Sequence, residues 1–219
     1  MRIAILGSSP SSLPLAPFED ASWTIWGCSP GAAPFVKRAD AYFELHRWDG
    51  LAESPEFSAF LARMPKVYMA QVQPNIPNSV LYPKDEMVER FGPHFFSSTI
   101  AWMLALAISQ NPEEIGLWGV DMAHDTEYAI QKPGCHYFIS LAKAQGIKVT
   151  VPDESDLLQP APLYGFCTLS PRYRKFQVRR DELMGRLQAN LAQTDNLVRE
   201  AMFLKGAVND IDYVMRTWV

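Results

Sequence analysis

Four short polar clusters in this sequence could do chemistry, and each adjoins a short apolar run. The first is GSSPSS at residues 7–12, directly after the apolar run Ile3–Leu6. Glycine and serine in such a loop let backbone N–H groups and hydroxyls approach a phosphate. The spacing is neither GxGxxG nor GxxxxGK[ST], so an ordinary tight turn is the competing interpretation. The candidate binding residues here are Gly7, Ser8, Ser9 and Ser11.

Two clusters carry groups suited to acid–base or electrostatic catalysis. His46 and Arg47 follow the run Ala41–Leu45. The imidazole could act as a base near neutral pH, and the guanidinium could bind a phosphate or carboxylate through two parallel hydrogen bonds. Asp121 and His124 follow the run at residues 115–118. These four residues are the candidate catalytic groups; a capping histidine, a surface arginine and a solvated polar loop are the alternatives.

The stretch after residue 120 is also rich in other ionisable groups, namely Asp125, Glu127 and His136. Such groups could bind a metal, but the HExxH spacing is absent and we predict no metal site. The fourth cluster is Ser97, Ser98 and Thr99, just before the apolar segment Ile100–Ile108. Their hydroxyls could cap a buried helix, and the same helix N-terminus could hold an anion.

The composition is typical of a globular protein with one sizeable core. The chain has 219 residues, of which 48% are hydrophobic and 20% charged, and its formal net charge is -4. No apolar run approaches the roughly 18 residues of a membrane span, and the first residues do not form a signal-peptide pattern. The three cysteines lack CxxC spacing. We therefore predict a cytoplasmic protein with no membrane association, and nucleic acid is not an expected partner.

Predicted strands and helices, which would position the polar clusters, alternate along the chain. Short apolar runs bounded by turn residues predict strands at 3–6, 23–27, 41–45, 67–70, 115–118 and 147–151. Helices are predicted from Ser54, over 85–90, over 100–108 and over 133–145, with Gly146 as a C-terminal cap. This alternation predicts an α/β fold of Rossmann-like type, with a mostly parallel sheet flanked by helices.

The end of the sequence has a different pattern. A proline-rich linker is predicted at residues 159–170, between a domain at 1–158 and a helical segment at 171–219. Two series of positions, each spaced by seven residues, run through that segment. One series runs from Phe176 to Trp218 and the other from Arg180 to Met215. Heptads predict a coiled coil or helical bundle that forms a homo-oligomer. The segment is predicted to be either one long helix or a helical hairpin that turns at residues 194–196.

Five stretches, in this order, resemble a known family: RIAILGSSPSSL, WTIWGCSPG, AYFELHRW, SSTIAWMLALAISQNPEEIGLWGVDM and GIKVTVPDESDLL. They resemble the small, Rossmann-like bacterial sialyltransferases that use CMP-sialic acid. They are also similar to 6-hydroxymethylpterin pyrophosphokinase-like domains, and the overall pattern resembles uncharacterised proteins of tailed bacteriophages. The resemblance covers about residues 1–158 and leaves out the heptad segment.

The resemblance implies a nucleotide site built from the first loop, Ser29 in the loop after the second strand, and the turn at 97–99. Ser9 stands where the family has a second glycine, and Ser29 and His46 stand where sialyltransferases have asparagines. Nucleotide binding is therefore the part of the resemblance that carries over, whereas sialyl transfer is not.

Three hypotheses follow for the function. The leading one is a nucleotide- or nucleotide-sugar-binding protein that acts as a glycosyltransferase-like enzyme, with His46 or His124 as base, Arg47 steadying the leaving phosphate and Asp121 orienting the site. The second is a pyrophosphokinase-like or hydrolytic enzyme that needs Mg²⁺ near Asp121 and Asp125. The third is a non-catalytic oligomeric assembly or inhibitor protein. If the chain is phage-encoded, its location is the host cytoplasm.

Overall fold

The computed structural model describes residues 1–47, 55–122, 126–158 and 171–217. The chain divides into two compact units, Met1–Gln159 and Pro160–Val219. The predicted linker at 159–170 lies outside the described residues, so its assignment as a linker stays a prediction.

In the described residues, the first unit contains one sheet of seven strands, all parallel, in the order β5-β4-β3-β2-β1-β6-β7. The strands are β1 (Arg2–Leu6), β2 (Trp23–Cys28), β3 (Ala41–Glu44), β4 (Val67–Met69), β5 (Ser79–Leu81), β6 (Glu114–Trp118) and β7 (Lys148–Thr150). The predicted α/β class is confirmed. Strand β5 was not predicted, because it has three residues and none of them is buried.

The strand order places β1 at the point where the topology reverses. The chain builds outward from β1 to β5 on one side and then returns to add β6 and β7 on the other. Leu6 at the end of β1 lies beside Gly27 of β2 and Trp118 of β6. Ligands of doubly wound sheets bind in the crevice beyond the strand ends at such a point.

Both faces of the sheet are covered, which explains why its strands read as continuous apolar runs. Ile3 and Ile5 belong to the largest buried cluster, whereas Ala4 and Leu6 belong to a second one. Successive side chains of a strand point to opposite faces, so these clusters lie on opposite sides of β1. The larger cluster includes most of the buried helix at Thr99–Ser109.

The helices of the first unit are α1 (Pro55–Ala62), α2 (Lys84–Phe91), α3 (Thr99–Ser109) and α4 (Thr126–Ala144), with a short 3-10 helix at Leu13–Leu15. Helix α4 begins seven residues before the predicted start, so Pro133 lies inside it. Proline suits the first turn of a helix, and the local sequence does not show that this helix has already begun. The predicted cap holds: Gly146 has φ +82°, its N–H donates to Lys143 O, and Ile147 N–H donates to Ala142 O.

The described residues of the second unit form one helix, α5 (Pro171–Thr217), of 47 residues. At 1.5 Å per residue it is roughly 70 Å long. Because the helix continues through residues 194–196, the structure favours the continuous alternative over the hairpin. The described side chains from 177 to 213 are exposed, including those of Leu187 and Leu204. Within the described part of the chain, no helix is both long and apolar enough to cross a membrane.

Candidate functional site

A cavity of about 800 Å³ lies beyond the carboxyl ends of β1, β2, β3 and β6. Its volume is within the range of small-molecule sites. Its walls come from the loops after these four strands, from the start of α3 and from α4. The lining residues are Gly7, Ser8, Ser9, Pro10, Cys28, Ser29, Leu45, His46, Phe96, Ser97, Ser98, Thr99, Ile100, Trp102, Gly119, Val120, Asp121, Met122 and Gln131.

The structure brings most of the residues singled out from the sequence to this cavity. All the candidate binding residues line it except Ser11, which bonds to the lining residue Asp121. His46 and Asp121 line it too. Arg47 instead lines a second cavity, of about 420 Å³, together with Leu45, His46 and residues 69–71. His124 and Asp125 lie outside the described residues.

The first loop is attached to the loop after β6 by its backbone. Gly7 N–H donates to Trp118 O at 2.9 Å, and Ser9 N–H donates to Gly119 O at 2.8 Å. The buried Ser12 hydroxyl accepts from Gly119 N–H at 2.8 Å. The N–H groups of Gly7 and Ser9 are therefore already used within the protein, and phosphate binding by this loop stays a prediction.

Close approach of the two loops explains the glycine at position 7. A Cβ on Gly7 would lie 2.4 Å from Gly119 O, and Gly119 itself has φ +69°. A backbone carbonyl cannot withdraw as a flexible side chain can, so the loops would have to separate. The sequence alone suggests that Gly7→Val would abolish binding and leave the fold intact; the structure predicts damage to the fold as well.

We expect Gly7→Val to lower the melting temperature by roughly 5 °C or more, because the added side chain forces apart the ends of β1 and β6. Gly31→Ala is the control: its Cβ would meet Ser8 Cβ at 3.4 Å, Ser29 Oγ at 3.7 Å and Ser8 Oγ at 3.8 Å, which are ordinary contacts. Thermal unfolding followed by circular dichroism measures both. Equal melting temperatures for Gly7→Val and wild type would contradict the close approach.

Asp121 joins the same loops through its side chain. Its Oδ2 accepts from Ser9 Oγ at 2.6 Å and its Oδ1 from Ser11 Oγ at 2.8 Å. The two hydroxyls lie 3.1 Å apart. Asp121 thus organises the two serines and supplies negative charge to the cavity wall.

The start of α3 forms the opposite wall. Ser98 Oγ accepts from Ala101 N–H at 3.1 Å, so the capping interpretation is correct for this residue. Ser97 Oγ donates to Gln131 O at 3.2 Å and links this wall to α4. A helix N-terminus carries partial positive charge, and here it adjoins the cavity.

An aromatic wall that sequence reasoning missed lies next to these hydroxyls. Phe96 stacks on Trp102 with ring centroids 3.8 Å apart and planes at 19°. Trp102 is further supported by the edge of Tyr82 at 5.3 Å, and the Tyr82 hydroxyl donates to Trp102 O at 2.7 Å. Two aromatics flanking the cap of an apolar helix were the available signal, but only folding brings their rings together.

Glu44 is a further residue that sequence reasoning missed. It ends β3 and is 1% exposed. Its Oε1 accepts from the backbone N–H of His46 at 3.0 Å and contacts His46 Nδ1 at 2.6 Å. The His46 side chain is 70% exposed, so a buried carboxylate holds an accessible imidazole at the cavity wall.

The charge on the cavity wall is low. Among its lining residues in the described part of the chain there is no lysine or arginine. Within the same described residues, no group of three or more histidine, cysteine or acidic side chains could hold a metal. Cys28 also lines the cavity, but burial raises the pKa of its thiol to about 12. This thiol stays protonated near neutral pH and is a poor nucleophile.

Comparisons with known proteins give structural similarities at low identity. No protein-family model matches the chain, and no curated protein matches it in sequence. Sialyltransferase CstII from Campylobacter jejuni, in complex with cytidine-5'-monophosphate, is 16% identical with a TM-score of 0.47, over 78% of this chain and 85% of that one. Thiamine pyrophosphokinase from Bacillus subtilis is 15% identical with a TM-score of 0.44, over 69% of this chain and 60% of that one. The function has to be argued from the site itself.

Proposed function

We propose that this protein binds a nucleotide or nucleotide sugar in the larger cavity and transfers the sugar to a hydroxyl acceptor. The observation that carries the proposal is the cavity's position at the reversal of strand order, where parallel α/β sheets bind such ligands. Its wall combines serine and threonine hydroxyls, a helix N-terminus and a stacked aromatic pair. The helix N-terminus and its hydroxyls suit a phosphate, the other hydroxyls suit a ribose, and the aromatic pair suits a base.

The stacked rings of Phe96 and Trp102 are the proposed platform for the base. Aromatic faces bind every nucleobase by stacking, at about 1–3 kcal/mol per base. The phosphate would then lie towards Ser98 and Thr99, where the N-terminal end of α3 favours negative charge.

The charge of the cavity wall favours a ligand with one phosphate. Triphosphate sites use a lysine, an arginine or Mg²⁺ to neutralise several negative charges. Lysine and arginine are absent from the described lining residues, and Asp121 adds negative charge. A nucleoside monophosphate, or a sugar linked to one, fits this wall better than a nucleoside triphosphate.

His46 is the proposed base, because it lines both cavities. Its Nε2 would take the proton from the acceptor hydroxyl as that oxygen bonds to the anomeric carbon of the sugar. The bond from that carbon to the nucleotide phosphate breaks, and its electron pair leaves with the phosphate. Arg47 lines the smaller cavity and would contact the acceptor there.

A thermal-shift panel tests this proposal. We expect a nucleoside monophosphate or its sugar conjugate, at about 100 times its Kd, to stabilise the protein by about 2.7 kcal/mol. For a chain of this size that raises the melting temperature by roughly 5–10 °C. The shift should persist in EDTA, because the proposed site uses no metal.

Other outcomes of the panel separate the competing functions. A shift with ATP that requires Mg²⁺ would replace this proposal with the pyrophosphokinase-like or hydrolytic enzyme. No shift with any nucleotide, from a protein that is folded, would favour the non-catalytic assembly protein.

We also propose that α5 binds other copies of α5. Two seven-residue series run along it, and every member between 177 and 213 is exposed within its own chain. Among these, Leu183, Leu187, Leu197, Leu204, Val208 and Ile211 are large apolar side chains. A strict heptad repeat is the pattern that a second helix buries, and Asn190 within it would select register or oligomer number.

A further inference from the structure

We infer that Glu44 is the positioning residue that makes His46 a base directed at both cavities. This inference rests on the proposed function, since it identifies how the base of the proposed transfer is prepared. It predicts which ring nitrogen of His46 carries the proton, and this can be measured without any substrate.

Two carboxylates are buried among the described residues, and their surroundings differ. Glu114 begins β6 and is surrounded by donors: Thr150 Oγ1 at 2.6 Å, Lys148 Nζ at 3.0 Å and Arg2 Nε at 3.2 Å. Its hydrogen bonds and ion pairs fasten β6 to its neighbours β1 and β7. Glu114 has the partners expected of a carboxylate that stabilises the fold.

Glu44 is more deeply buried and has fewer partners. It is 1% exposed, its Oε1 is shared by two groups of one residue, His46, and its Oε2 has no hydrogen-bond partner among the described residues. An unsatisfied buried carboxylate oxygen is costly, so this arrangement does not serve stability. Buried polar groups retained at such a cost are often found at functional sites.

The geometry determines what Glu44 does to the imidazole. A carboxylate that contacts Nδ1 at 2.6 Å holds the proton on that nitrogen in the neutral ring. Nε2 then carries the lone pair that accepts a proton. The second bond, from the His46 backbone N–H, fixes the chain direction just after β3, so the ring stays at the wall shared by the two cavities.

Nitrogen NMR of the full chain tests this directly. The chain has four histidines, so selective ¹⁵N-histidine labelling gives few signals, and His46→Gln assigns the one of interest. At about pH 8, where an ordinary imidazole is neutral, we expect His46 to show a protonated Nδ1 and an unprotonated Nε2. Equal tautomers, or a proton on Nε2, would overturn the inference in the wild-type protein alone.

Two matched variants separate positioning from stability. Glu44→Met should leave the melting temperature unchanged within about 2 °C, or raise it, while His46 loses its single tautomer. Glu114→Met should lower the melting temperature by roughly 5 °C or more, because Arg2 and Lys148 lose the carboxylate with which they form ion pairs. A Glu44→Met protein that unfolds, or melts as low as Glu114→Met, would assign Glu44 to the fold. A Glu44→Met protein whose His46 keeps its single tautomer would show that Glu44 does not position the ring.

The result is independent of the nucleotide panel. A failed nucleotide panel removes the proposed ligand and leaves the measured tautomer as it is. A failed tautomer measurement removes Glu44 as the positioning residue and leaves nucleotide binding to be judged by its own shift.

Discussion

If α5 binds other copies of α5 as proposed, Leu187→Glu combined with Leu204→Glu will convert the oligomer into monomers. Both residues belong to the seven-residue series of α5, and they are 51% and 55% exposed within their own chain. Burying a leucine in an interface is worth about 1.5–3 kcal/mol, and a buried unpaired carboxylate costs several more. Together the two changes should weaken association at least ~10³-fold. Light scattering coupled to size exclusion gives the mass of each species.

The control for that experiment lies on the same helix. Gln188→Glu combined with Ala192→Glu adds the same two charges at positions outside both seven-residue series. This protein should keep the wild-type mass and circular dichroism. A wild-type chain of 24.7 kDa that runs as a monomer would contradict the proposed self-association.

Phe96→Leu will weaken nucleotide binding by about 5- to 150-fold, the equivalent of losing 1–3 kcal/mol of stacking. The leucine keeps the apolar volume near Trp102 but removes the flat ring that would continue the stack onto a base. The ring of Phe96 also packs on Phe138, with centroids 5.0 Å apart, and a leucine retains part of that contact. Titration calorimetry with the nucleotide that gives the strongest thermal shift measures the change.

The neighbouring residue provides the control for Phe96. Phe95 stacks on Tyr137, with centroids 4.3 Å apart, and does not line the larger cavity. Phe95→Leu should therefore leave the Kd unchanged. Equal affinities for wild type and Phe96→Leu would show that the base does not lie against this wall, and equal losses in both variants would point to a general effect on packing.

Several polar groups of the first loop are already bonded within the protein. Gly7 and Ser9 donate their amides to the loop after β6, and the hydroxyls of Ser9 and Ser11 donate to Asp121. The first loop therefore shapes the cavity and binds its neighbouring loop. The groups of α3 remain as the wall where negative charge is favoured.

Local patterns in the sequence were sufficient for most of the fold. Apolar runs closed by turn residues predicted β1, β2, β3, β4, β6 and β7, because a strand buried on both faces has a composition that its own residues reveal. Gly146 revealed the end of α4, since a left-handed cap favours glycine whatever lies around it. The heptads of α5 are likewise a property of one segment.

Tertiary structure decided the features that depend on distant residues. Strand β5 forms by pairing with β4, and nothing in its three residues distinguishes them from a loop. Burial of Glu44, stacking of Phe96 on Trp102 and the contact of Gly7 with Gly119 each join groups that only the assembled sheet brings together. The sequence alone could name the loops that surround the cavity, because the ends of parallel strands meet at one edge of the sheet. Which atoms in those loops are already bonded to each other depends on distances of a few ångströms between strands, and these exist only in the fold.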